Sequence, residues 1–262
     1  MRKPLVRRVG LIGRLLRRLR AGALRALGIR EFTTHAQGLK FIVGHQDLVD
    51  RRIAREGCWE ADQLEFIAAQ INEQRFDLFL DIGANVGFYS MLAASKGLAA
   101  EVIAFEPDPG NRARLERNLA ANGLTDDIWV LPYALGDKAG EATLTEGNPF
   151  NRGESHLAQE KMPAGERTHQ VLVKRFDDEF TVKKKRVYVK MDVEGYEFLT
   201  LKGMERTLKE NSCFLQIEIF ADDPEELKRR VTGLGYRFLG TVEFDQFFSN
   251  MKEIQEGDRT SV

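Results

Sequence analysis

With 262 residues, 43% of them hydrophobic, the chain carries enough apolar material for one large α/β domain or two small ones, and composition excludes a disordered chain. The net charge of −1 hides a segregation: residues 1–30 hold ten Lys/Arg and no Asp or Glu, which leaves 29 basic against 40 acidic residues in the remainder. An acidic body argues against sequence-independent nucleic-acid binding, which draws on basic surface facing phosphates, so no nucleic-acid partner is expected.

In residues 5–27 the set Leu5, Val9, Ile12, Leu16, Leu19, Ala23 and Leu27 recurs at the helical period, with Arg7, Arg14, Arg17, Arg18 and Arg25 between. Residues 1–30 thus read as a basic amphipathic helical arm. No run of about 18 apolar residues exists for a membrane span, and arginines interrupt every apolar core that a secretory signal would need. Such an arm is suited to peripheral contact with an anionic membrane surface; the competing expectation is a helix packed on its own domain with a solvated basic face. Residues 31–76 are expected to form a helical cap region, with Leu64, Phe66, Ile67 and Ile71 at helical spacing.

Residues 77–262 read as one domain of alternating strands and helices. Apolar runs at 77–82, 101–106 and 128–131 predict strands, separated by helices at about 86–96 and 109–122, which implies right-handed βαβ units and a parallel sheet. The stretch 136–164, rich in Gly, Asn, Glu and Pro, breaks the rhythm and is expected to cross the sheet edge, with a short strand at 142–144. Strands follow at 170–174, 186–191, 214–219 and 236–239, with helices at about 196–209 and 224–234. The fold class is therefore α/β, a doubly wound, mostly parallel sheet with an N-terminal helical extension.

Cys58 and Cys213 stand far apart in apolar contexts, the usage of a reducing compartment, so a cytoplasmic location is expected, peripheral at the cytoplasmic membrane face if the arm binds lipid. His35, His45, His156 and His169 lack zinc-ligand spacing, and no dedicated metal site is expected, although a carboxylate-rich rim has the donor type for Mg²⁺.

Two clusters carry chemistry. Leu80-Asp81-Ile82-Gly83-Ala84-Asn85-Val86-Gly87 joins a buried strand to a helix, and its glycines allow a tight turn and close ligand approach. The spacing is G-x-N-x-G rather than G-x-G-x-x-G, which disfavours a dinucleotide; Glu106, closing the second strand, stands where such sheets supply an acceptor for ribose hydroxyls. The second cluster, Lys190-Met191-Asp192-Val193-Glu194, puts ionisable residues at alternate positions on a strand end, so at least two share a face. Asp192 or Glu194 is the candidate acceptor of a hydroxyl proton, with Lys190 as its orienting cation. Glu218 adds a third carboxylate to the rim, and His156, on the excursion, is a further substrate-side candidate.

These residues resemble the FkbM-type methyltransferases. The matching pieces are Asp81 to Ser90, Ala104 to Pro109, Ala134 to Asp137, Val173 to Asp178 and Val189 to Glu197, in that order, over roughly residues 60 to 220. The resemblance implies the class I, Rossmann-like methyltransferase fold, S-adenosylmethionine as cofactor, and O-methylation of a hydroxyl on a sugar, glycan or secondary metabolite. Carried over by position, Asp81, Gly83, Asn85 and Gly87 would surround the methionine part of the cofactor, Glu106 the ribose, and the turn from Leu135 to Asp137 the adenine. Lys190, Asp192 and Glu194 would stand near the transferred methyl. The sequence departs from the family pattern at Phe176, where Leu is usual, and after Glu218, where Ile219 and Phe220 replace a frequent His. Two alternatives share the fold: a nicotinamide-dependent oxidoreductase, and a membrane-tethered module without activity. Acceptor identity and oligomeric state are not readable from the sequence.

Overall fold

The structure, a computed structural model, describes residues 4–72, 74–147, 150–151, 153, 155–157, 167–219 and 224–254. The arm forms helix α1 (Leu11–Ala26), six residues later than the apolar period begins. Residues 4–9 are not helical, and there Arg8 pairs with Asp62 and Glu65.

The expected helical cap begins instead with a hairpin, β1 (Glu31–Ala36) and β2 (Leu39–Gly44). Its two turn residues, Gln37 and Gly38, both have positive φ, 53° and 89°. A turn with both central residues in that region matches the twist of antiparallel strands, and Leu39, Phe41 and Val43 alternate inward along β2. Helices α2 (Leu48–Glu56) and α3 (Ala61–Ile71) follow.

The doubly wound region runs β3 (Phe76–Ile82), α4 (Phe88–Lys96), β4 (Ala99–Phe105), α5 (Pro109–Asn122) and β5 (Trp129–Leu131). An excursion supplies β6 (Ala134–Leu135), β7 (Gly140–Thr145), β8 (His156–Leu157) and β9 (Thr168–Lys174), which form a second sheet in the order β6-β9-β7-β8. The chain returns through α6 (Phe176–Glu179) to β10 (Arg186–Met191), α7 (Glu197–Gly203), α8 (Glu205–Glu210), β11 (Ser212–Glu218), α9 (Pro224–Gly233), β12 (Arg237–Val242) and β13 (Asp245–Ser249). The main sheet has the order β12-β13-β11-β10-β3-β4-β5, parallel from β11 to β5 and antiparallel at β13 and β12.

The structure departs from the sequence pattern at two further places. The single helix expected over 196–209 breaks at Met204, because the buried Asp177 carboxylate accepts from the Arg206 and Thr207 backbone N–H groups and starts a second helix. Strand β13 was not expected at all, yet it inserts between β11 and β12.

Side chains of β3 alternate between two cores. Phe79 faces the side covered by α3, α4, α5 and the hairpin, whereas Leu78, Leu80 and Ile82 face α7, α8 and α9. Winding proceeds outward from β3 through β4 to β5, and in the other direction from β10 to β11, so the topological switch falls between β3 and β10. Ligands of such sheets bind beyond the carboxyl ends of strands at that switch.

Candidate active site

Strand register builds the site. Asp81 on β3 is the Cα partner of Lys190 on β10, which partners Gln216 on β11; two residues further along β11, Glu218 partners Asp245 of β13. Since alternate residues share a face, Asp81 and Lys190 lie on the same side as Phe79 and Tyr188, under α3 and α4. A polar row therefore crosses an otherwise apolar sheet at its ligand-binding end.

The row is buried and satisfied by specific partners. Lys190, 3% exposed, donates to the Asp192 carboxylate at 2.8 Å and lies 5.3 Å from the Tyr89 ring centroid. Burial by itself would lower the Lys190 pKa, but Asp192, Glu60, Glu218 and Asp245 together hold it well above the usual value. Asp81 accepts from the Ser90 hydroxyl and, at 2.9 Å, from its backbone N–H, tying the end of β3 to the first turn of α4. Tyr89 donates to Glu60 at 2.6 Å, and Gln216 links the Tyr89 hydroxyl at 3.1 Å to Asp245 at 2.8 Å. Several carboxyls thus surround one ammonium in a dry place. The physical consequence is upward displacement of Glu60, Asp81, Asp245 and Glu218, each through burial first; for Glu218 the Asp192 charge adds to it.

The turn after β3 approaches this row from above. Gly83 has φ +83°, and a Cβ there would stand 1.7 Å from the Asp192 carbonyl oxygen, so only glycine lets the β3 and β10 loops meet. Gly87 serves differently: it has φ +81° and begins α4, and a Cβ on it would meet Leu115 of α5 at 2.9 Å. Glu106, 5% exposed, spends one carboxylate oxygen on the Asn85 N–H at 2.7 Å and the other on the Asp108 N–H at 2.9 Å. Burial raises its pKa to about 8, against the lowering effect of those two hydrogen bonds.

Two cavities meet over these groups. The wider, about 500 Å³, is bordered by Trp59, Glu60, Asp81, Lys190, Glu194 and Glu218 among others, with Arg52 stacked 5.4 Å from the Trp59 ring. The narrower is bordered by Glu106, Asn111, Leu135, Leu144, Val193 and Tyr196 among others. Gly83, Asn85, Gly153 and Asp192 line both. Gly83 and Glu106 accordingly face one hollow. The Asn85 side-chain oxygen is buried and finds no hydrogen-bond partner among the described residues, an open acceptor aimed at a missing donor.

Sequence reasoning expected Asp81, Gly83, Asn85, Glu106, Leu135, Lys190, Asp192, Glu194 and Glu218 at a site, and the structure brings all of them to these two cavities. Gly87 lies beneath the turn as a packing residue. Asp137 lines neither cavity; its carboxylate pairs with Lys202 at 2.8 Å, which lowers its pKa. Leu135 lines the narrower cavity, its carbonyl accepting from Thr200 at 2.9 Å. The backbone of His156 is in β8, and its side chain lies outside the described set. Glu60, Tyr89, Gln216 and Asp245 were not anticipated. Gln216 and Glu218 alternate in an apolar strand, and that pattern was the available signal. Among the described residues no group of His, Cys, Asp and Glu is arranged to hold a metal ion.

The methyltransferase FkbM domain matches this chain over residues 81–238. Hexuronic acid methyltransferase AglP of Haloferax volcanii is 28% identical over 216 residues, spanning 80% of this chain and 82% of that protein. Methyltransferase sdnD of Sordaria araneosa is 31% identical over 131 residues, half of this chain and 47% of that one. Among solved structures, the hMettl16 catalytic domain bound to an RNA hairpin superimposes with a TM-score of 0.50 at 12% identity, over 94% of this chain and 84% of that one, a likeness of fold alone.

Proposed function

Because the chain belongs to the FkbM methyltransferase family, we propose that it transfers a methyl group from S-adenosylmethionine to a hydroxyl of a sugar. One observation carries the reading: Gly83, Asn85 and Asp192 border both cavities, so a cofactor in the narrower and an acceptor in the wider would adjoin at Asp192. The residues fit the cofactor's chemistry. Glu106 is an acidic acceptor of ribose type at the end of β4, Gly83 leaves the backbone bare, and Asn85 has an unused buried oxygen. Phe105, Leu135 and Leu144 give the narrow cavity apolar walls for a base.

Bound there, S-adenosylmethionine supplies an electrophilic methyl carbon on a sulfonium. The chain's own residues then have two tasks, to aim the acceptor oxygen and to take its proton. Asp192 takes the proton, with Lys190 fixing the carboxylate through the 2.8 Å contact and offsetting the charge that develops nearby. The acceptor's proton would then stay on the Asp192 carboxylate. Glu60 and Glu218, whose pKa values are pushed up by burial, can hold a proton near neutrality and donate hydrogen bonds to the acceptor's remaining hydroxyls.

A sugar suits the wide cavity because Trp59 contributes a flat apolar surface among polar partners. The similarity to a hexuronic acid methyltransferase makes acidic sugars the first class to test, and Arg52, exposed beside Trp59, is the cation positioned to meet a carboxylate. The test is incubation with isotopically labelled S-adenosylmethionine and a panel of free and glycan-linked uronic acids and neutral hexoses, read by mass spectrometry. The expected result is one methyl on a uronic acid, with a KM raised about tenfold or more by Trp59→Ala while S-adenosylhomocysteine affinity holds. Cofactor binding without methylation of any sugar would refute the acceptor class, and a chain that binds NADH in place of S-adenosylhomocysteine would refute the cofactor.

A further inference from the structure

We propose that helix α1 docks the protein on an anionic lipid bilayer through its leucine face. An amphipathic helix on a globular domain ordinarily buries its apolar stripe and shows its charges. Here the arrangement is reversed. Leu11, Ile12, Leu15, Leu16 and Leu19 are 77, 75, 56, 61 and 61% exposed, and Leu27, just past the helix end, is 75% exposed. At 3.6 residues per turn they fall on one side, in an arc of roughly 160°.

The opposite side holds the helix to the domain, and it does so through polar groups. Arg17 reaches the Thr34 hydroxyl at 3.3 Å, the Ala54 carbonyl at 3.4 Å and the His35 carbonyl, while Arg20 donates to the Thr33 carbonyl at 3.1 Å. Ala21 is the one buried residue of the helix. These contacts with the hairpin and α2 fix which way the leucines point. A contiguous apolar patch of this kind on an otherwise charged chain marks an interaction surface.

Charge selects the occupant. Arg14, Arg18 and Arg25 run as an exposed stripe along one border of the apolar arc, and the nearest carboxylate to Arg18 is Glu56 at 3.9 Å. Residues 1–30 contain ten Lys/Arg and no acid. Two copies meeting through these faces would bring two arginine-rich arms together, whereas anionic headgroups neutralise the stripe while the leucines enter the acyl boundary. No helix among the described residues is long and apolar enough to cross a membrane, so the helix would lie in the surface.

The surface also adjoins the wide cavity. Arg8, Val9 and Arg14 border a smaller hollow of about 270 Å³ together with Arg52, Glu60 and Gln63, all three of which also line the acceptor side. Docking would therefore bring the acceptor mouth near the lipid plane and favour an acceptor carried on a lipid; that consequence rests on the proposed methyl transfer, whereas the docking does not.

The experiment is co-sedimentation of the full chain with vesicles of phosphatidylglycerol and phosphatidylcholine, or of phosphatidylcholine alone. Binding is expected to the anionic vesicles and to fall steeply between about 0.1 M and about 0.5 M NaCl. Leu15→Glu with Leu19→Glu should weaken it by more than about tenfold. Arg14→Gln, Arg18→Gln and Arg25→Gln combined should weaken it roughly a hundredfold, at about fivefold per arginine. S-adenosylhomocysteine affinity within about twofold of the parent chain certifies that these variants fold. The proposal is overturned if the chain ignores anionic vesicles, if the glutamate variant binds them as well as the parent, or if light scattering finds a dimer that the glutamate variant dissociates. A chain that binds vesicles but not S-adenosylhomocysteine strikes the methyl-transfer reading and leaves the docking intact.

Discussion

Gly83→Ala tests the junction on which the site is built. The added Cβ would lie 1.7 Å from the Asp192 carbonyl oxygen, whereas a carbon and an oxygen settle at about 3.3 Å, so the β10 loop must recede by about 1.6 Å. That obstacle is backbone, held in place by the Asp192 N–H to Ile82 carbonyl hydrogen bond of 2.9 Å, and it has no rotamer to move to. The left-handed conformation at φ +83° adds about 1–2 kcal/mol for any residue with a side chain, and overpacking adds about 1–3 kcal/mol. A loss of about 2–5 kcal/mol is expected in urea unfolding followed by circular dichroism, with S-adenosylhomocysteine binding in calorimetry reduced beyond detection. Gly87→Ala is the control. It shares the positive φ and meets Cγ of the fully buried Leu115 at 2.9 Å, which must shift, so it should cost a comparable amount, about 2–5 kcal/mol, and yet spare binding, because the residue displaced is not at the β10 loop. Equal loss of binding from the two substitutions, or normal binding by Gly83→Ala, would refute the claim that the turn must touch the β10 loop.

Two other outcomes follow from the same geometry. Asp192→Asn keeps the shape and removes the proton acceptor, so kcat should fall by about a hundredfold or more while S-adenosylhomocysteine affinity stays within several-fold; undiminished turnover would take Asp192 out of the mechanism. Glu106 has a folded pKa of about 8 against an ordinary 4.5, so its contribution to stability is complete below about pH 4.5 and is lost as pH rises through about 8. In the cofactor-free protein the stability gap between the parent chain and Glu106→Gln should therefore shift against the parent from pH 5 to pH 8.5 by a few kcal/mol, at about 1.4 kcal/mol per unit. A gap constant over that range would mean the carboxyl is not held protonated.

Residues that interrupt an apolar strand at its ligand-binding end were readable without coordinates. Asp81, Glu106, Lys190 and Glu218 stand in runs too hydrophobic to tolerate a charge without a reason, and the period of two puts at least two of Lys190, Asp192 and Glu194 on one face, where Lys190 and Asp192 meet at 2.8 Å. Glu60 was not readable, since an acid just before a helix is ordinary capping chemistry; its role comes from α3 lying over the sheet, a tertiary fact. Asp245 was hidden for a related reason. Nothing local announces that β13 inserts beside β11 rather than continuing outward. The hairpin at 31–44 carries a signal in Gln37-Gly38 between alternating apolar residues, a weaker one than the helical spacing that follows it.

The arm marks a different limit. A helical period specifies that leucines and arginines occupy separate stripes, but it does not say which stripe meets the domain. Apolar burial would ordinarily decide, and it would have turned Leu15 and Leu19 inward. What decides here is the rim of the hairpin and the end of α2, where the carbonyls of Thr33, His35 and Ala54 stand open as acceptors for Arg17 and Arg20. Backbone carbonyls have no sequence signature, so their pull on the arm was invisible. An arginine partly removed from water to meet them pays a desolvation cost, seen in the lowered pKa of Arg17, and the leucines left outside add a second cost. Both costs fall if the exposed face finds an apolar phase beside negative charge, the physical reason to expect the arm's partner outside the chain.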